Sequence, residues 1–95
     1  MVVSLDSINR MQSVLQMAAD SEKIRSKHGL HTIVLFLIDG VYQAVGESAR
    51  LLAICGHIGC TKVYNEWFAT FSEKRADILF PRLVKDGFQI CINCK

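Results

Sequence analysis

The segment pattern predicts an α/β chain of the α+β type: a mixed five-stranded sheet with helices packed on it, in the order α-β-β-α-β-β-α-β. Two observations carry this. Three stretches with helical spacing alternate with runs of strand character, and the short connections within "TIVLFLIDGVYQAV" and "IGCTKVYNEWFATF" have the form of hairpin turns. Strands joined by such turns must be antiparallel, whereas strands joined through a helix can be parallel. At 95 residues the chain has the length of one domain, spanning 1–95.

Each element has its own justification. Ile8, Met11, Leu15 and Ala18 recur at spacings of three and four, predicting a helix over 6–27, with Asp6 as N-cap and Gly29 after its end. Thr32 to Ile38 is apolar at nearly every position, as a strand covered on both faces should be. Asp39-Gly40 is the strongest short hairpin signal, because both turn positions need positive φ; Val41 to Val45 then pair back. Gly46-Glu47-Ser48 opens a second helix to about Cys55, with Ala49, Leu52 and Ala53 on one face and Gly56 ending it. Ile58–Tyr64 and Trp67–Phe71 flank a second turn at Asn65-Glu66. Ser72 caps a third helix reaching Asp86 and stopped by Gly87, which Pro81 should kink or break. Phe88 to Asn93 closes the sheet.

Bulk composition narrows the function. A hydrophobic fraction of 51% and a mean hydropathy of +0.25 provide a core and leave apolar surface for a partner. The net charge of +2 permits nucleic-acid binding without demanding it. No secretory signal opens the chain, and the longest apolar run is far short of the roughly 20 residues of a membrane helix. The expected location is therefore cytoplasmic, with no membrane partner and reduced thiols.

Catalytic chemistry finds little footing. "GES" at 46–48 lacks the G-x-S-x-G elbow, and His28, His31 and His57 stand apart from any nucleophile-carboxylate pair. The glycines fall singly at turns and caps, so no phosphate-cradling loop exists. The expectation is a non-enzyme without a cofactor. Cys55, Cys60, Cys91 and Cys94 have the count for a tetrahedral zinc site. Cys91 and Cys94, however, are three apart in strand-type sequence, where their side chains point to opposite faces. Lys23, Arg25, Lys27, Lys74, Arg75, Arg82 and Lys85 have two readings: solvated helix ends, or a phosphate-contacting surface.

The frame "IDGVYQAVGESAR", continuing to "IGCTK" and closing on "LVKDG" and "FQICIN", resembles the N-terminal mismatch-recognition domain (domain I) of the MutS family of DNA mismatch-repair proteins. The resemblance covers roughly residues 30–95, with an extension through the first helix. It implies a DNA-binding module for mismatched or distorted duplex, reading through the hairpin. The family's Phe-x-Glu pair, which wedges beside and hydrogen-bonds to the mispaired base, falls on Val41 and Gln43. Valine keeps an apolar wedge without aromatic stacking, and glutamine keeps an acceptor and adds a donor. Tyr42 turns to the other face and packs, and the family's Gly-Asp turn is inverted to Asp39-Gly40. With Arg50, Lys62, Lys74 and Arg75 as phosphate contacts, the expected DNA surface is complete. The family's ATPase is absent from this sequence, so coupling to ATP would need a separate ATPase partner. The alternative is a protein-interaction or self-association module, such as a homodimer, that kept the fold and lost DNA binding. Its supports are uncapped sheet edges and the aromatic pair Trp67 and Phe68, for which core packing is the plain counter-reading.

Overall fold

The computed structural model describes residues 5–94, with side chains over 8–93. It holds α1 (Leu5–His28), β1 (Thr32–Ile38), β2 (Val41–Val45), α2 (Glu47–Gly56), β3 (Thr61–Val63), β4 (Glu66–Ser72), α3 (Glu73–Lys85) and β5 (Gln89–Cys94). The five strands form one mixed sheet in the order β3-β4-β2-β1-β5. Only β1 and β5 run parallel; the other neighbours are antiparallel. No described helix is long and apolar enough to cross a membrane.

The continuous hydrophobicity of β1 has the expected cause, because both faces of the sheet are covered there. Ile33 and Leu35 join Tyr42, Ala44, Ala69 and Phe71 beneath Ala49 and Leu52 of α2 and Ala76, Leu79 and Leu83 of α3. Val34 and Phe36 join Val45 on the opposite face, beneath Val14 and Met17 of α1. Tyr42 packs as expected, stacked on Phe71 at 5.2 Å and meeting the edge of Phe80 at 5.2 Å.

Several details depart from the sequence expectation. The buried side of α1 is Val14, Met17, Ser21 and Arg25, whereas Met11 and Leu15 are exposed. Arg25 is no solvated helix-end cation: it is buried, and its guanidinium donates to the carbonyls of Leu30 and Thr32 and to Glu22. It thereby closes the loop between α1 and β1. α1 already includes Leu5, so Asp6 lies within the helix and is not its N-cap; its side chain lies outside the described ones. Gly56 does not terminate α2 from outside but is its last residue; His57, at φ 56°, takes the left-handed position that follows. A Cβ on Gly56 would come within 2.9 Å of Leu79 Cδ1, so packing of α2 against α3 explains the glycine. The second hairpin turns at Tyr64-Asn65, not Asn65-Glu66, with φ of 50° and 66°. That register aligns Lys62 with Trp67 and sends Ala69 and Phe71 into the core. Pro81 does not break α3, which runs on through it from Glu73 to Lys85. Pro81 and Asp77, the residue whose carbonyl loses its helical donor, are both exposed.

One hydroxyl ties three elements together. Ser48 Oγ, fully buried in the first turn of α2, accepts the Val34 backbone N–H of β1 at 3.0 Å and lies 3.4 Å from Ser21 Oγ of α1. The last described β1–β2 pair on this side is Phe36 with Gln43, so Val34 N–H lies where the ladder runs out. Ser48→Ala should cost about 1–3 kcal/mol, since it strands a buried donor, measurable as a lower denaturant midpoint at unchanged slope. Arg25→Lys should also destabilise by about 1–3 kcal/mol, because a single ammonium cannot reproduce the guanidinium's fork toward two loop carbonyls.

Candidate nucleic-acid interface

The β1–β2 hairpin defines one end of the sheet. Asp39 and Gly40 both have positive φ, 52° and 76°, as a two-residue turn of the primed type requires. Val41, the first residue of β2, is 39% exposed and is the Cα partner of Ser72, the last residue of β4. Ser72 then caps α3, its Oγ accepting the Arg75 N–H at 3.2 Å. The first turn of α3, with Glu73, Lys74 and Arg75, is therefore delivered beside the hairpin. A Cβ placed on Gly40 would stand 4.0 Å from a Glu73 carboxylate oxygen, which measures how near the two segments come.

The opposite side of the hairpin is approached by α1. This helix runs antiparallel to β1, so its N-terminal half overlies the hairpin end. Gln43, half-buried, lines a groove of about 460 Å³ with Arg10, Ser13 and Met17 of α1 and with Ile38 and Phe68 of the sheet. Arg10 was not evident as a site residue in the sequence, because only the antiparallel return of α1 brings it near Gln43. His57 is a second such residue. With Arg75, Thr70 and Ser72 it lines a groove of about 330 Å³ between the segment after α2 and the end of β4.

The expected DNA-binding set is thus divided. Asp39, Gly40, Val41, Lys74 and Arg75 share the hairpin end, and Gln43 follows on the same strand. Arg50 and Lys62 do not join them. Val41 pairs with Ser72 and Lys62 with Trp67, five residues apart on β4, which places Lys62 about 17 Å along the strands from Val41. Both distant cations also have other engagements. Arg50 Nη1 donates to Glu47 at 2.9 Å, and Lys62 Nζ lies 4.7 Å above the Trp67 ring. Trp67 is itself 37% exposed, and Phe68 is half-buried against the α1 side of the core.

The cysteines are divided as well. Cys55 and Cys60 pack against the core beneath α2 and α3, while Cys91 packs on the α1 side of the sheet. The side chain of Cys94 lies outside the described ones. Among the described residues, no three His, Cys, Asp or Glu side chains gather where they could hold a metal ion. Treatment with a strong chelator should leave the thermal unfolding curve unchanged; a drop in midpoint restored by zinc would mean the thiols meet after all.

No protein-family model matches the chain, and no curated protein matches it in sequence.

Proposed function

We propose that the chain is a non-catalytic DNA-binding module that engages distorted or mismatched duplex through the hairpin end of its sheet. The observation that carries this reading is the exposed apolar Val41 at a tight turn, with Lys74 and Arg75 delivered beside it and Arg10 above the same strand. A small apolar wedge flanked by cations is the chemistry that enters a minor groove where base steps unstack easily. The cations anchor the phosphates, and Gln43 offers a donor and an acceptor to a base edge. The likeness of "IDGVYQAVGESAR" to the hairpin of MutS mismatch-recognition domains supports the same surface. The contact set is narrower than the sequence suggested, since Arg50 and Lys62 belong to the far end. Asp39 and Glu73 stand among the cations, so affinity should be modest and depend on DNA already bent or unpaired.

Fluorescence anisotropy with mismatched, matched and single-stranded DNA at two salt concentrations tests this. Binding should favour the mismatched duplex and weaken with salt. Neutralising Lys74 and Arg75 together should lower the log–log salt slope by about 2, at ~0.9 per phosphate contact, on every duplex alike. Arg50→Gln with Lys62→Gln should leave the slope unchanged. Val41→Ala should reduce the mismatch preference while leaving the slope intact. Absence of binding at low salt, or equal dependence on the Arg50–Lys62 pair, would overturn the proposal.

A further inference from the structure

The two edges of the sheet are built differently. The β3 edge is three residues long and carries the exposed Lys62, two devices that discourage another strand from adding. The β5 edge has neither. Gln89–Cys94 is "QICINC", six residues without a charge or proline, and Ile92 is 42% exposed. Among the described residues no strand lies beyond it.

Its backbone directions follow from one bond. Gln89 N–H donates to the His31 carbonyl at 2.9 Å, so the polar groups of Gln89 point toward β1. By alternation those of Cys91 and Asn93 do the same, while the N–H and C=O of Ile90 and Ile92 point outward. An incoming strand must satisfy Ile90 and Ile92.

We propose that this edge pairs with the β5 edge of a second copy, antiparallel about a two-fold axis through Cys91. The segment is self-complementary in that register. Ile90 of one copy falls opposite Ile92 of the other, and vice versa, and both have outward backbone groups, so each pair exchanges N–H···O bonds in both directions. The apolar pairs lie on the face covered by α3, where Ile90 already packs against the core. On the other face, Gln89 falls opposite Asn93, two carboxamides that can bond each other across the strands. Cys91 meets its own copy at a non-hydrogen-bonded pair, with Cα atoms about 4.5 Å apart, within the range a disulfide spans. Shifting the two-fold to Ile92 sets Cys91 opposite Asn93 and leaves Gln89 without a partner in the strand. A two-fold between residues would place the α1 face of one copy against the α3 face of the other. The result is a closed dimer with one continuous sheet, independent of whether the hairpin end binds DNA.

Sedimentation equilibrium of the full chain in reducing buffer should give a mass approaching twice that of one chain as concentration rises. Ile92→Pro removes only an outward N–H, so β5 keeps its bonds to β1 while the mass falls by half; circular dichroism checks that the fold persists. Diamide, which takes up the two electrons and two protons of a thiol pair, should link wild-type chains through Cys91–Cys91, identified by peptide mass mapping. This arm stands even if the proline variant misfolds. A monomer at every concentration overturns the proposal and leaves the edge to a strand of another protein. A dimer in which Cys91 never links to itself, or one that survives Ile92→Pro, overturns it too.

Discussion

The hydroxyl of Ser48 is the point on which the arrangement depends. It sits where the β1–β2 pairing has stopped and β1 continues, accepting the Val34 N–H that lies beyond the last described β1–β2 pair. Placed in the first turn of α2 and 3.4 Å from Ser21 Oγ, it also fixes the distance between α1 and α2 across the end of the sheet. A larger side chain would force the helices apart, and an apolar one would strand a buried donor. The guanidinium of Arg25, buried one turn further along α1, secures the same end by holding the carbonyls of Leu30 and Thr32.

Anchoring that end determines the other. With the C-terminal half of α1 fixed over the start of β1, its N-terminal half must travel back over the hairpin, carrying Arg10 to the groove that Gln43 lines. On the opposite face β4 ends beside Val41, and Ser72 caps α3 there, so Lys74 and Arg75 emerge next to the turn. The hairpin end therefore gathers cations from both sides of the sheet around one exposed valine. The far end has its own pairing, Arg50 with Glu47 and Lys62 with the Trp67 ring, and forms a separate surface.

The strands were the most legible part of the sequence. Ile33–Ile38 is apolar throughout because both faces of the strand are covered, and Asp39-Gly40 meets a demand for positive φ that few pairs satisfy. The face of α1 was misread for a physical reason. Its buried side includes Ser21 and Arg25, which a hydropathy pattern assigns to solvent, so Met11 and Leu15 looked like the inner stripe while Val14 and Met17 held that place. Gly56 read as a terminator, yet what requires it is the approach of Leu79 from another helix, which no local pattern carries. The same limit divided the candidate site: Val41, Gln43, Lys74 and Arg75 were legible as residue types, but only topology separates them from Arg50 and Lys62 and adds Arg10.

Mapping backbone amide shifts by NMR during titration with a mismatched duplex tests the central claim most directly. Shifts should concentrate at Asp39–Gln43, Lys74 and Arg75, with Arg10 following and Lys62 and Trp67 unmoved. Shifts centred on Lys62, Trp67 and Arg50, or none at saturating duplex, would contradict the assignment of the hairpin end as the DNA-contacting surface.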